Sequence, residues 1–316
     1  MNKPDLTLTI DAPAKINLHL AIKNRRPDGF HDLESIFLAL AFGDTLYFEP
    51  ITGDNTLEIH MEGENSGFKA LPMEKNIIFR AVSLFRKQMG YNQGLRIRVE
   101  KRIPLGGGLG GGSSDAASTL AALNKLASDN KAGLLSRDSL AEMAAFLGSD
   151  IPFFLCETNA AWVSGRGEAI RPVQAPQGLF FVLVNGFPSE TSEAFRLLDE
   201  FRADASHVKT GPETAGLSQE RLIEALAHSP RNWPFWNDFL PVFQTQVRDN
   251  APGKVYGEIL GQLRDLGADF AGLSGAGSTC FGVFTQRMLA EKAGKVLLKI
   301  WNFVKITFPL AYGTRR

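Results

Sequence analysis

Residues 104–117 read PLGGGLGGGSSDAA, and this stretch decides how the rest of the sequence is interpreted. Six glycines lie between Gly106 and Gly112. Glycine enters left-handed backbone conformations at little cost, and its missing Cβ lets successive backbone N–H groups approach an anion closely. The stretch joins an alternating, strand-like run at 95–101 to an alanine-rich run typical of a helix. These features predict a phosphate-binding loop.

The helix after this loop is predicted to begin at Ser113 or Ser114 and to run to Asn124 or Leu126. Either serine is suited to cap a helix N-terminus, where unpaired N–H groups and the positive end of the helix dipole favour an anion. A triphosphate would fit this arrangement. A flexible linker or a tight hairpin is the alternative, but order on both sides of the glycines argues against it.

Other nucleotide-binding motifs match less well. Gly106, Gly108 and Gly111 fit the dinucleotide pattern G-x-G-x-x-G. A Rossmann unit, however, needs the loop directly after a strand and a second strand after the helix. Here Pro104 interrupts the approach, and a second helical run at 136–147 follows. The Walker A motif and the protein-kinase signatures are absent. We therefore expect a phosphate-binding loop of another class.

Composition limits the class of protein. The chain has 316 residues, 44% of them apolar, which is enough for two domains or one large domain. Its 34 basic residues balance 34 acidic ones, so we expect neither a nucleic-acid partner nor a membrane surface. The two cysteines, Cys156 and Cys280, have no metal-ligand spacing. With no long apolar run and no signal-peptide pattern, these features predict a cytoplasmic protein.

Polar residues in two apolar segments are candidates for chemistry. Lys15 and Asn17 share one face of a predicted strand and could position a substrate oxygen; a solvated face of an edge strand is the alternative. Asp150 precedes Pro152 and an aromatic run, where a carboxylate facing a cleft would be partly desolvated. A turn or an N-cap is the alternative for Asp150.

An aromatic residue beside a histidine is a third candidate. Phe30 and His31 follow the turn at 25–29, so a flat heterocycle could stack on Phe30 while His31 meets its edge. Core packing with a surface histidine is the alternative for this pair.

The remaining elements are read from periodicity. Strands are predicted at 6–10, 16–22 and 33–42, a hairpin over 53–67 and a helix over 76–89. A second domain follows, with a polar loop at 202–217 and a small-residue loop, LSGAGST, at 273–279. Two glycine-rich loops, one in each predicted domain, suggest a cleft between the domains.

Four motifs taken in order resemble the GHMP kinase superfamily: PAKINLHL at 13–20, the glycine loop, GSDIPFF at 148–154 and LSGAGST at 273–279. The resemblance covers nearly the whole chain. It implies an α+β fold of two domains, with residues 1–168 binding ATP, residues 169–316 binding substrate, and the active site in the cleft between them.

The resemblance also implies an activity, ATP-dependent phosphorylation of an alcohol. The triple-glycine form and residues 14–37, AKINLHLAIKNRRPDGFHDLESIF, resemble the branch whose acceptor carries a cytidine diphosphate group. In that branch the 2-hydroxyl of a methylerythritol is phosphorylated for non-mevalonate isoprenoid synthesis. The alternatives are a sibling kinase for homoserine, mevalonate or a sugar, and a ligand-binding relative without catalysis. Whether the protein is a monomer or a homodimer stays open.

The family roles implied for individual residues follow the matched motifs. Asp150 would be the catalytic base, with Lys15 beside it. Asn17, Phe30, His31 and Phe195 would bind substrate; where the family usually has Tyr-His, this chain has Phe30-His31, so any contact from a phenol oxygen is lost. The loop at 273–279 would support the phosphate loop. Mg²⁺ would lie near Ser113 or Ser114. The ATP-binding residues would be Asn76, Pro104, Leu105, Gly106, Gly107, Gly108, Leu109, Gly110, Gly111, Gly112, Ser113 and Ser114.

Overall fold

The structure is a computed structural model that describes residues 7–63, 72–129, 133–186, 189–203, 217–245 and 252–311. Its strands are β1 (Leu8–Arg25), β2 (His31–Ile51), β3 (Leu57–Glu62), β4 (Gly94–Glu100), β5 (Ala160–Ser164), β6 (Ala169–Pro172), β7 (Phe180–Asn185), β8 (Phe270–Leu273), β9 (Thr279–Phe284) and β10 (Val304–Thr307). Its helices are α1 (Ile77–Met89), α2 (Gly111–Asp129), α3 (Arg137–Leu147), α4 (Ile151–Leu155), α5 (Thr191–Ala203), α6 (Gln219–Ala225), α7 (Phe239–Thr245), α8 (Pro252–Asp265) and α9 (Arg287–Leu297). The predicted α+β class is confirmed.

The long strand β2 organises the first sheet. β1 runs antiparallel along one edge of β2, whereas the other edge pairs with β5 through residues 35–38 and with β4 through residues 45–51. β3 and β6 extend the sheet beyond β4 and β5. Both faces of β2 are covered: Phe37 and Ala39 pack among helices, whereas Ile36 and Leu38 pack against strands of the second sheet. The sheet is therefore a buried layer.

Two features of this sheet differ from the sequence expectation. The sequence predicts separate strands at 6–10 and 16–22, but β1 continues through Pro13 and its register with β2 shifts between Pro13 and Lys15. Such a bulge accommodates proline within a strand. Part of the hairpin predicted over 53–67 lies outside the described residues, and the strand in its described part, β3, pairs in parallel with β4. The chain crosses through α1 between these two strands, as a parallel pair requires.

The helix starts were predicted with mixed success. Asn76 caps α1, its side-chain oxygen accepting from the N–H of Ile78 at 2.9 Å. In α2 the predicted cap is wrong: the carbonyl of Gly110 accepts from the N–H of Ser114, so Gly110 occupies the N-cap. Both candidate serines therefore lie inside the first turn of a helix that begins two residues earlier and ends at Asp129.

The second sheet is antiparallel, in the order β10-β7-β9-β8. One face packs on α5, α7, α8 and α9, and the other shares a core with β1 and β2. The predicted boundary at residue 168 lies just before β6, which still pairs with β5 in the first sheet; the chain enters the second sheet at Phe180. Most of the polar stretch at 202–217 lies outside the described residues.

None of the helices among the described residues combines the length and the apolar character needed to cross a membrane.

Candidate active site

An open cavity of about 330 Å³ is lined by residues from both halves of the chain. One side consists of the loop at 104–110 and the start of α2 as far as Ser113. The other lining residues include Lys15 and Asn17 from β1, Asp150, Phe195 and Gly275. Motifs far apart in the sequence therefore meet at one place.

Four consecutive carbonyl groups of the glycine loop accept hydrogen bonds from the protein behind it. The donors, for residues 106 to 109 in order, are the N–H of Ser278 at 3.3 Å, the N–H of Thr279 at 3.1 Å, the hydroxyl of Ser274 at 2.9 Å and the N–H of Lys15 at 2.9 Å. Three of these four donors belong to the second small-residue loop, at 273–279. The prediction that this loop supports the glycine loop is confirmed by these contacts.

The carbonyl contacts determine where the N–H groups of the loop point. In a trans peptide the N–H lies opposite the C=O. Carbonyls directed into the protein therefore direct the N–H groups of residues 107–110 toward the cavity. The first N–H groups of α2 and the positive end of its dipole add to the same side. The arrangement suits a polyanion.

Glycine is required at two points of the loop. Gly108 has a φ of +70°, and a Cβ atom there would lie 2.3 Å from the carbonyl oxygen of Ser274. Gly110 has a φ of +69°, and its Cβ would lie 2.9 Å from Cγ of Lys15. Both the backbone conformation and the short distances exclude a side chain at these two positions. Glycine therefore lets the loop pack against β1 and against the loop at 273–279 at the same time.

Lys15 is held by three neighbours. Its Nζ donates to Oδ1 of Asn17 at 2.6 Å, lies 3.2 Å from Oδ2 of Asp150 and sits 4.4 Å above the ring of Phe37. The amide nitrogen of Asn17 donates in turn to Oγ of Ser35 at 2.9 Å. Asn17 therefore orients the lysine toward the cavity.

Asp150 precedes α4 but its side chain does not cap that helix. The carboxylate is 31% exposed, whereas the side chain of Lys15 is only 4% exposed. Asp150 does occupy the turn and N-cap position that the alternative predicts, but its side chain makes no capping hydrogen bond. The cation is enclosed and the carboxylate faces the cavity, an arrangement in which the carboxylate can accept a proton from a bound group.

A buried ion cluster, which sequence reasoning missed, lies next to the loop. Nζ of Lys101 contacts Oδ2 of Asp44 and lies 2.7 Å from Oδ2 of Asp115. Oδ1 of Asp44 accepts from the N–H groups of Arg102 and Ile103, just before the glycine loop. The cluster therefore joins β2, the end of β4 and α2.

The charges of this cluster are strongly perturbed. Burial raises the pKa of the Asp115 carboxyl to about 7, opposed by Lys101 and assisted by Asp44. Burial alone would lower the pKa of Lys101, but attraction to Asp115 and Asp44 outweighs it and raises that pKa. The ammonium group is therefore the stable charge of the cluster.

Of the aromatic candidates, Phe30, His31 and Phe195, one lines the cavity. Phe195 lines it, stacked on His31 with ring centroids 5.1 Å apart. Nε2 of His31 lies 2.8 Å from Oδ1 of Asp199, a contact with no signal in the sequence. Phe30 is 54% exposed, and the guanidinium of Arg166 lies 5.2 Å from its ring centroid. Neither Phe30 nor His31 is among the lining residues, and His31 covers a face of Phe195.

Two ATP-binding candidates lie apart from the cavity lining. The Asn76 side chain caps α1, as described above. Ser114 is fully buried, and its hydroxyl has no hydrogen-bond partner among the described residues. Ser113, by contrast, lines the cavity.

Oxygen donors suited to Mg²⁺ are few. Within the described ranges, no cluster of three or more His, Cys, Asp or Glu side chains is arranged to hold a metal ion. Ser113 and Asp150 are lining residues with oxygen side chains. Since Mg²⁺ is commonly held by one or two carboxylates together with substrate phosphates and waters, this donor set fits a metal that arrives with a polyphosphate.

Comparisons with known proteins agree along most of the chain. Residues 76–158 match the GHMP kinases N terminal domain, and residues 222–301 match GHMP kinases C terminal. The 4-diphosphocytidyl-2-C-methyl-D-erythritol kinase of Treponema pallidum is 34% identical over 93% of this chain and 96% of its own length. The protein of the same name from Pseudomonas syringae is 35% identical over 94% of this chain and 92% of its own length.

A solved structure gives the same result. A crystal structure of 4-(cytidine 5'-diphospho)-2C-methyl-D-erythritol kinase superposes with a TM-score of 0.74 at 32% identity, covering 96% of this chain and all of the other. The predicted resemblance is confirmed. The chain belongs to the GHMP kinases, in the family of the 4-diphosphocytidyl-2-C-methyl-D-erythritol kinases.

Proposed function

We propose that this chain transfers the γ-phosphoryl group of ATP to the 2-hydroxyl of 4-diphosphocytidyl-2-C-methyl-D-erythritol, giving the 2-phosphate and ADP. The relatives at 34% and 35% identity carry the name of this kinase. One observation in the cavity supports the reaction: Lys15 and Asp150, 3.2 Å apart, line the same cavity as a loop whose N–H groups face inward.

Asp150 is assigned as the general base. A bond forms between the 2-hydroxyl oxygen and the γ-phosphorus, the bond from that phosphorus to the β–γ bridging oxygen breaks, and ADP leaves. The hydroxyl proton passes to the carboxylate of Asp150, which is exposed toward the cavity. Lys15 places a positive charge beside the oxygen on which negative charge develops. Phosphoryl transfer depends on such positioning and charge stabilisation more than on covalent help.

The phosphates of ATP are assigned to the loop. The N–H groups of residues 107–110 and the start of α2 supply donors and a positive dipole for them. Asn76 stays a proposed ATP contact, although its side-chain oxygen already caps α1. Ser113 is the better candidate than Ser114 for a place near Mg²⁺, because only Ser113 lines the cavity. When bound, Mg²⁺ neutralises charge on the phosphates.

The cytidine end of the acceptor is assigned to Phe30, His31 and Phe195. The exposed ring of Phe30 offers a stacking surface, and Phe195 offers an aromatic wall from the second half of the chain. Asn17 is assigned to the acceptor as well, although both ends of its amide already contact Lys15 and Ser35.

The division into residues 1–168 for ATP and 169–316 for the acceptor is part of the same proposal. So is a cytoplasmic location, which the two cysteines and the lack of a signal-peptide pattern predict. So is the lack of a nucleic-acid partner, which the balanced charge predicts.

A coupled ADP-release assay tests the proposal. The protein is mixed with Mg·ATP and 4-diphosphocytidyl-2-C-methyl-D-erythritol, homoserine, mevalonate or galactose in parallel. We expect turnover with the cytidyl substrate alone, and competition by CMP or CDP. Turnover with another alcohol would contradict the acceptor, and turnover with none would contradict catalysis.

A further inference from the structure

The side chain of Ser274 joins the two sides of the cavity. Its hydroxyl accepts from the N–H of Asn17 at 3.2 Å and donates to the carbonyl of Gly108 at 2.9 Å. Asn17 lies on the strand that carries Lys15, and Gly108 lies at the centre of the glycine loop. Two side-chain hydroxyls donate to the loop carbonyls, and the Ser274 hydroxyl at 2.9 Å is closer than that of Ser278, which lies 3.5 Å from the carbonyl of Gly106.

The direction of both bonds is determined by chemistry. A backbone N–H can only donate and a carbonyl can only accept, so the single proton of the hydroxyl must point at Gly108. Ser274 is fully buried, so water does not replace either partner. Loss of the hydroxyl would therefore leave the buried N–H of Asn17 and the partly buried C=O of Gly108 each without this contact.

Ser274 is itself held on both sides. Nδ2 of Asn237 donates to the carbonyl of Leu273 and to that of Gly275, both at 2.8 Å. Oδ1 of Asn237 accepts from the N–H of Phe239 at the start of α7. Asn237 thus connects the two carbonyl groups that flank Ser274 to the start of α7. These contacts fix the position of the Ser274 hydroxyl.

We propose that Ser274 is a positioning residue for phosphoryl transfer, setting the glycine loop at the correct distance from the strand that carries Lys15. This proposal rests on the proposed kinase function, although it does not depend on which alcohol is the acceptor. Its hydroxyl touches neither reacting group. It acts through Gly108, which holds the phosphate donor, and through Asn17, which orients Lys15.

The kinetic test compares Ser274→Ala with the wild-type enzyme. Because a misplacement of about 1 Å between reactants can cost about 100-fold in rate, we expect kcat to fall about 10- to 100-fold. The KM values for ATP and for the acceptor should change less than about threefold, because the groups that bind each substrate remain. Ser274→Cys, which nearly preserves the volume, should show the same pattern if the alanine variant is unstable.

Thr158→Val is the matched control. Its hydroxyl is buried and donates to the carbonyl of Ala160 at 2.6 Å, but it does not line the cavity. This variant should lose comparable stability with kcat unchanged. An unchanged kcat in a folded Ser274 variant would overturn the proposal. So would a rise in the KM for ATP alone, which would reduce Ser274 to a support for ATP binding.

Hydrogen exchange of the free enzyme separates this proposal from the acceptor assignment. The amides of Lys15, Ser278 and Thr279, which donate to the loop carbonyls, should exchange severalfold faster in Ser274→Ala than in the wild type. Thr158→Val should not show this change. If the wild type turns over a different alcohol, kcat is compared with that alcohol. If it turns over none, the proposed function fails and exchange decides alone: unchanged protection of these three amides overturns the role of Ser274.

Discussion

Lys15 and Asp150 form an ion pair in which the lysine is enclosed and the carboxylate is open, with Nζ 3.2 Å from Oδ2 and side-chain exposures of 4% and 31%. The lysine contacts Asn17 on its own strand, so the pair is oriented from the enclosed side. A substrate hydroxyl can therefore reach the pair through the carboxylate.

Asp150→Asn should abolish transfer while leaving ATP bound. An amide cannot take up the hydroxyl proton, so kcat should fall about 100- to 10,000-fold. ATP affinity should stay within about threefold, since the loop assigned to the phosphates is a separate segment. ADP release and calorimetric titration with ATP check the two halves of this prediction. Glu157→Gln, at an exposed carboxylate paired with Arg137, is the control. Retained turnover in Asp150→Asn would remove Asp150 as the base.

Lys15→Met should lower kcat about 100- to 1,000-fold, by analogy with the loss of one group that stabilises transition-state charge. Methionine fills much of the same space above Phe37 but cannot donate to Asn17 or pair with Asp150. Steady-state kinetics with saturating ATP give the measurement. Lys23→Met, on the same strand but in an exposed pair with Glu34, should leave kcat unchanged. Equal kinetics for the two variants would contradict the role of Lys15.

Gly108→Ala should lower the free energy of unfolding far more than an alanine substitution at a glycine that has positive φ but open surroundings. Gly90 has a φ of +63° with open space around it, so Gly90→Ala should cost about 1 kcal/mol in the free energy of unfolding. Gly108→Ala adds a contact of 2.3 Å with the carbonyl of Ser274 and should also weaken ATP binding. Thermal unfolding and ATP titration test both variants. Similar losses in the two would show that close packing of the loop is unimportant.

Asp115 makes stability depend on pH. Burial raises the pKa of its carboxyl to about 7, above the value of about 4 in an unfolded chain. The unfolded state therefore releases this proton first, so this group lowers the free energy of unfolding as pH rises from about 4 to about 7. Asp115→Asn has no carboxyl group to titrate at this position. Its free energy of unfolding, relative to that of the wild type, should therefore rise between about pH 4 and about pH 7.

Urea unfolding at about pH 4.5 and at about pH 8 measures the Asp115 effect. Asp54→Asn, at an exposed turn position, is the control for a carboxylate lost from the surface. A difference between wild type and Asp115→Asn that is equal at the two pH values would contradict the linkage.

Phe195→Ala should raise the KM for the acceptor and leave the KM for ATP unchanged. Removing this ring takes away the partner of His31 and one wall of the cavity. Competition by CMP should weaken in parallel. The loss in its binding free energy should be about 1–3 kcal/mol, as found for one base stacked on an aromatic side chain in proteins that bind single-stranded nucleic acid. Phe146→Ala, at a ring that is 76% exposed, is the control. A selective rise in the KM for ATP would move Phe195 to the other substrate.

Local sequence features predicted those parts of the fold that local chemistry determines. The glycine loop, the helix α1 and the order of α2 and α3 follow from glycine content and helical periodicity. The continuation of β1 through Pro13 and the parallel pairing of β3 with β4 depend on a partner strand distant in sequence, so periodicity alone could not indicate them.

Sequence reasoning likewise singled out some residues of the cavity region and missed others. Lys15, Asn17 and Asp150 stand out because polar residues interrupt apolar runs. Asp44 interrupts the run LALAFGDTLYF in the same manner, and this signal could have found it. Its partners Lys101 and Asp115 sit in polar or glycine-rich surroundings, where a charge carries no information about burial. The contact between His31 and Asp199 joins two elements whose meeting only the fold determines.

The supports behind the glycine loop have a consequence for how the protein is made. Nearly all the groups assigned to ATP lie before residue 151, yet the hydroxyl that holds Gly108 is 166 residues further along the chain, and the N–H groups behind Gly106 and Gly107 lie further still. During synthesis the ribosome therefore releases the loop long before three of the four groups that hold its carbonyls. We expect the loop to take its final conformation only after residues 274–279 have emerged.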